Sequence, residues 1–229
     1  MSLIALLVEG KTDWIFFTRL LPGIQLPDTL FVSKNLIDVL DDNIHENKIW
    51  LQDCMGDNSF PTYIKKNLDA FLQNDFKQLI IIRDYFPANR PPTSLCKKDL
   101  CQSLLGSLPA SITTKYSGNI FINISVEELE AWFFADRDLF ERMNRNLTQD
   151  YINSHYNNIL TVNPETIRHP SDKLKEIINN EIPGHTYNKT EREAYFVISR
   201  IDIDTCIAVM GTNYIQSFYR IITYLLQIL

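Results

Sequence analysis

Residues 3–8, Leu-Ile-Ala-Leu-Leu-Val, form an uninterrupted apolar run that stops at Glu9-Gly10. A run this short and apolar at every position suits a strand covered on both faces, as in a parallel sheet. The pattern recurs along the first half of the chain. Residues 48–52 (KIWLQ) lead to Asp53, residues 78–83 (QLIIIR) end at Asp84, and residues 119–124 (NIFINI) lead into a helix, SVEELEAWFFAD. Helical stretches lie between the runs. One opens at Thr12 or Asp13 and closes at Pro22-Gly23; another spans about 61–74, with Tyr63, Ile64, Leu68, Phe71 and Leu72 on one face. Alternation of this kind predicts an α/β fold, a Rossmann-like, mostly parallel sheet of about four strands flanked by helices.

From residue 137 onward the strand signal disappears. Helices are expected over roughly 148–158, 171–180, 190–199, 203–210 and 214–228, with Asn163-Pro164, His169-Pro170 and Pro183-Gly184 separating some of them. The expected organisation is an α/β core over 1–136 and a helical extension over 137–229 packed on it, unless the two form one continuous domain.

Right-handed crossovers would align the carboxyl ends of the strands along one edge, where open α/β sheets bind ligands. Acids occupy those ends: Glu9, Asp53 and Asp57, Asp84, then Glu127, Glu128 and Glu130. Converging carboxylates repel one another unless a cation neutralises them, and hard oxygen ligands suit Mg²⁺ or Mn²⁺. Each acid also has a plainer reading. Glu9 could be a solvated strand end, and Asp84 a turn initiator. Glu128 lies three residues after Ser125, a capping-box spacing that serves only to start a helix. Glu130 has no such role and adjoins Ala131-Trp132-Phe133-Phe134, an apolar face that would fix its direction.

Charge narrows the partners. The 229 residues carry a formal charge of −6, whereas a protein that coats nucleic acid through phosphate contacts is usually basic. Any nucleic acid would be met at a small local patch or through a partner. Lys11, Arg83 and Lys189 are the candidates to meet a substrate phosphate; Arg83 belongs to a modest cluster with Arg90, Lys97 and Lys98. An exposed lysine on a loop, or basic residues that only offset neighbouring acids, would explain the same positions. Cys54, Cys96, Cys101 and Cys206 are scattered without zinc-site spacing, as expected of thiols in a reducing compartment. No apolar stretch approaches the roughly 20 residues of a membrane span, and the amino terminus lacks a signal peptide's basic start. The expectation is a cytoplasmic chain with no membrane partner.

Taken together, "LLVEGKTD" and "LIIIRDYF" resemble the strand ends of the TOPRIM fold of topoisomerases, primases and OLD-type nucleases. "ISVEELEAWFFAD", "HPSDKLKEII", "GHTYNKT" and "QSFYRIITYLL" resemble, in order, the TOPRIM-like domain of unknown function 4276 family. The resemblance implies a Mg²⁺- or Mn²⁺-dependent phosphodiester chemistry, a nuclease or nuclease-like effector in phage defence. Glu9, Asp84 and Glu130 would be the catalytic acids, and Glu9, Asp84, Glu128 and Glu130 the metal ligands. It also implies a neighbouring ATPase of the ABC/AAA type as partner, and leaves homo-oligomerisation open. One departure stands out: Phe86 occupies the place of the second acid of an Asp-x-Asp pair. That departure and the acidic charge favour the alternative, a non-catalytic interaction or regulatory subunit of an ATPase complex. A nucleotide-binding enzyme fits less well, because Glu9-Gly10-Lys11-Thr12 lacks the length of a phosphate-cradling loop.

Overall fold

The structure is a computed structural model that describes residues 2–24, 30–56, 59–85, 97–210 and 215–229. Asp57, Phe86, Arg90 and Cys96 therefore lie outside the described residues. The described chain forms two compact units that interleave along the sequence. One comprises residues 2–83, 97–124 and 225–229, the other residues 84–85 and 125–224.

A five-stranded sheet is built from β1 (Ser2–Val8), β2 (Leu30–Ser33), β3 (Asn47–Asp53), β4 (Gln78–Tyr85) and β5 (Ile120–Val126), in the order β2-β3-β1-β4-β5. Strand β1 is the centre. It pairs in parallel with β3 from Ser2 opposite Asn47 to Val8 opposite Asp53, and with β4 from Ile4 opposite Gln78 to Val8 opposite Ile82. Its residues from Ile4 to Val8 are fully buried, the burial that an apolar run without alternation requires. The strand that the sequence does not announce is β2, four half-buried residues (LFVS) at the sheet edge, parallel to β3.

Helix α1 (Lys11–Gly23) begins directly after Gly10, whose backbone N–H donates to Asp13 Oδ2 at 2.8 Å. It buries Ile15, Phe16, Phe17, Leu20 and Leu21, and Pro22 falls in its last turn. After α2 (Leu36–Asp41), the predicted helix over 61–74 divides into α3 (Ser59–Lys66) and α4 (Leu68–Gln73). Aromatic packing anchors this part of the unit. The Trp50 ring lies 5.4 Å from Phe71 and 5.7 Å from Phe76, and its Nε1–H donates to the Lys34 carbonyl at 3.1 Å. Helices α5 (Lys97–Ser107) and α6 (Ala110–Lys115) follow.

In the second unit, α7 is shorter than the sequence suggests, covering only Glu130–Phe133. Then come α8 (Leu139–Met143), α9 (Gln149–His155), α10 (Pro170–Glu181), α11 (Glu191–Ile198), α12 (Ile203–Met210) and α13 (Gln216–Ile228). Asp136, fully buried, ties α8 to the turn before α12. It pairs with the Arg142 guanidinium and accepts from the backbone N–H of Asp202 at 2.7 Å and of Asp138 at 3.3 Å. Burial nonetheless pushes its carboxyl above the ordinary range, against the opposing pull of those donors.

Helix α11 carries a reciprocal cap. Thr190 Oγ1 accepts from the Glu193 N–H at 3.4 Å, while Glu193 Oε2 accepts from the Thr190 N–H at 3.3 Å. Thr190→Ala is expected to cost about 1 kcal/mol, read as a lower denaturant midpoint at unchanged slope. No helix among the described residues is long and apolar enough to cross a membrane.

Candidate functional site

Asp84 stands one residue before the end of β4, and β5 delivers the chain to Glu127, Glu128 and Glu130. These residues share a unit with Ser171, Tyr187 and Lys189, and a charged cluster forms among them. Leu129 N–H donates to Asp84 Oδ1 at 3.0 Å, which pins the β4 acid to the turn before α7. Lys189 Nζ lies 2.9 Å from Glu128 Oε1 and 3.2 Å from Glu130 Oε1. Ser171 binds both oxygens of Glu128, its hydroxyl to Oε1 and its backbone N–H to Oε2, each at 2.9 Å. Tyr187 donates its hydroxyl to Glu130 Oε1 at 2.9 Å.

The electrostatics follow from burial on one side and openness on the other. The Glu128 and Glu130 side chains are 8% and 2% exposed, whereas that of Lys189 is 40% exposed. Burial acts to raise the Glu128 carboxyl, but the Lys189 charge and the bonds from Lys189 and Ser171 outweigh it and hold the group below its usual range. For Lys189, burial acts downward, and the charges of Glu130, Glu128 and Asp84 overcome it and raise the ammonium. The lysine is thus permanently charged, with part of its side chain facing solvent.

Backbone conformation marks the same place. Glu127, His169 and Lys189 all sit in the left-handed region, at φ 63°, 50° and 58°. Non-glycine residues there are uncommon and carry strain. Each adjoins or is a member of the cluster: Glu127 precedes Glu128, His169 lies two residues before Ser171, and Lys189 supplies the ammonium. Two oxygens nearby in sequence lack a hydrogen-bond partner among the described residues, Ser125 Oγ and Glu127 Oε2. Ser125 is still within β5 and the residue preceding α7 is Leu129, so the capping-box reading of Ser125 and Glu128 does not hold. The carboxylate is used by Lys189 and Ser171 instead.

The remaining candidates belong to the other unit. Glu9 is only 8% exposed, which removes the reading of a solvated strand end; its carbonyl accepts from the Gly56 N–H at 2.8 Å. Lys11 places its ammonium 5.1 Å from the Trp14 ring centre, and Lys34 does so at 5.3 Å. Arg83 is half-buried on β4. Sequence reasoning missed Ser171 and Tyr187, although both lie inside the motifs HPSDK and GHTYNKT.

Residues 8–210 match the family described as "Domain of unknown function (DUF4276)". This chain belongs to that family. The DUF4276 match takes in Glu9, Asp84, Glu128, Glu130 and Lys189. No curated protein matches the chain. Among solved structures, this DUF4276 chain is similar to the C-terminal region of the Burkholderia pseudomallei OLD protein, with a TM-score of 0.47 and 18% identity over 96% of this chain and 98% of that one. It is also similar to the C-terminal region of the Xanthomonas campestris pv. campestris OLD protein, with a TM-score of 0.37 and 15% identity over 93% and 97% of the two chains.

Whether these residues suit a metal depends on the metal. Among the described residues no group of three or more His, Cys, Asp or Glu is placed to hold one, and the Lys189 ammonium pairs with both Glu128 and Glu130. Mg²⁺ seldom needs such a cage; one or two carboxylates with substrate phosphate and water suffice. The donors here are hard oxygens, and the unpartnered Ser125 Oγ and Glu127 Oε2 add two more. Hard oxygens are the donor class that Mg²⁺ and Mn²⁺ take.

The pair between Tyr187 and Glu130 gives a direct check. Tyr187→Phe keeps the buried ring and removes one donor to a charged acceptor. A loss of about 2 kcal/mol of stability is expected from chemical denaturation.

Proposed function

We propose that this chain is a nuclease-like effector of TOPRIM type that acts on nucleic-acid phosphodiesters with Mg²⁺ or Mn²⁺, in phage defence beside an ABC/AAA-type ATPase partner. The observation that carries the reading is the cluster itself. Three strained residues position a permanently charged, partly open ammonium among Glu128, Glu130 and the β4 acid Asp84. Strain of this kind persists only where surrounding structure enforces it, and such outliers concentrate at functional sites.

In this reading Lys189 meets a non-bridging phosphate oxygen as a point charge. Glu128 and Ser171 hold its ammonium in place, and Tyr187 keeps Glu130 directed at it. A divalent cation, when bound, supplies charge stabilisation to the phosphoryl group. Glu9 and Glu130 are the further acids proposed to serve the reaction, and Glu9→Gln tests the first.

A second reading is favoured by one specific observation: Lys189 already pairs with both Glu128 and Glu130. On that reading the chain is a non-catalytic regulatory subunit of an ATPase complex. One assay separates the two. Purified protein, alone and with a candidate ATPase, is incubated with labelled DNA and RNA in Mg²⁺, Mn²⁺ or EDTA, alongside Glu9→Gln and Asp84→Asn. Cleavage by wild type in either metal, absent in EDTA and in both variants, is the expected result. No cleavage under any condition, or equal cleavage by the variants, would leave the regulatory reading standing.

A further inference from the structure

We infer that the hollow beside α11 binds a nucleotide unit of single-stranded nucleic acid. The inference rests on the nucleic-acid reading above and supplies what an acidic chain needs, a local place for the strand. The hollow has a volume of about 530 Å³, within the range of small-ligand sites. Its lining combines two arginines, Arg192 and Arg200, with His185, Tyr195 and Phe196 and the hydroxyls of Thr186, Thr190 and Ser199.

The arrangement suits a phosphate next to a planar base. The rings of His185 and Phe196 stack at 3.8 Å with an interplanar angle of 22°. The Arg200 guanidinium lies 3.9 Å from the Phe196 ring centre. Its Nη1 donates to the Phe196 carbonyl at 2.7 Å, so the guanidinium is held in place rather than free to swing. The His185 ring and the Arg200 guanidinium both lie against Phe196, and a base can join such a stack sequence-tolerantly because every base has a π-face. Tyr195 lines the same hollow and is 65% exposed, a large ring left in water on a helix that buries Ala194, Val197 and Ile198.

The one acid among the lining residues does not oppose a phosphate freely. Glu193 accepts from Thr186 Oγ1 at 2.7 Å and from the Asn188 N–H at 2.8 Å, besides its bond to the Thr190 N–H. Those bonds hold its carboxyl down at about 2, so it stays ionised, with its oxygens turned into the loop. Arg192 and Arg200 thus outnumber it at the surface a phosphate would meet.

The test is fluorescence anisotropy of the full chain with 5′-labelled twelve-nucleotide oligothymidylate and oligouridylate, in EDTA so that cleavage plays no part. Tyr195→Ala and Arg192→Ala both alter exposed side chains, and their melting temperatures verify folding. Each is expected to weaken binding about tenfold, Tyr195→Ala by loss of base stacking. Arg192→Ala should also reduce the slope of log K against log salt by about 0.7. Competition by thymidine monophosphate distinguishes a site for free nucleotide from one for a strand; full displacement at micromolar concentration would overturn the strand assignment. Failure of wild type to bind either oligonucleotide, or binding unchanged in both variants, overturns the inference. Binding through Arg192 and Tyr195 by a protein that cuts nothing would overturn the nuclease reading alone. Cleavage insensitive to both variants would do the reverse.

Discussion

Asp84→Asn is expected to lower phosphodiester cleavage by about a hundredfold or more while leaving the melting temperature close to that of wild type. The two halves of that expectation have separate causes. Asparagine keeps a carbonyl oxygen at Oδ1, so the 3.0 Å bond from the Leu129 N–H survives and the turn before α7 is still pinned. What is lost is the negative charge that would hold a hard cation and that helps raise Lys189. Losing several kcal/mol of charge stabilisation at the phosphoryl group corresponds to two or more powers of ten in rate, at about 1.4 kcal/mol per tenfold. The measurement is single-turnover cleavage in Mg²⁺ with a thermal melt of the same preparation. An equal fall in melting temperature and rate would assign Asp84 to the fold instead.

Lys189→Met should be the more damaging change for stability. It keeps the length of the side chain and removes the ammonium that serves two nearly fully buried carboxylates. Breaking a buried pair from one side leaves uncompensated charge and costs about 3–5 kcal/mol; the partial exposure of Lys189 and the remaining Ser171 and Tyr187 donors argue for the lower end, about 3 kcal/mol. Adding Glu128→Gln should recover part of the loss, which a simple packing defect would not allow.

The pH dependence carries a sign. In wild type the Glu128 carboxyl is held below its ordinary value of 4.5, so its contribution is present above that pH and lost as pH falls through the lowered value. Without Lys189, burial is left to push the same group upward. The variant then gains relative to wild type on acidification. The stability gap between them, measured by urea unfolding at pH 7 and pH 5, should narrow at the lower pH.

Much of the sheet was legible because burial on both faces writes itself as apolar runs, long in β1 and β4, shorter in β3 and broken at Asn123 in β5. Strand β2 was not, since an edge strand of four half-buried residues needs neither alternation nor a long run. The length of α7 was overestimated for a different reason. Helix-forming residues continue from Glu127 to Asp136, but Glu127 adopts a left-handed conformation and Leu129 turns its N–H to Asp84, so the helix begins only at Glu130. In the site, Glu128, Glu130 and Lys189 were named from the resemblance of their motifs. Ser171 and Tyr187 were not, because no spacing rule connects residue 171 to 128, or 187 to 130; only the fold makes them neighbours.

The central place of β1 bears on how the chain assembles. Its two neighbours in the sheet, β3 and β4, are both later in sequence, so during synthesis Leu-Ile-Ala-Leu-Leu-Val must wait for residues 47–53 and then 78–85. Until then it is an apolar segment with both edges open, the kind that templates aggregation. Glu9, Lys11 and Asp13 follow it immediately. Whatever they do in the finished protein, they also place charge beside the stretch most exposed to mispairing while its partners are still being made.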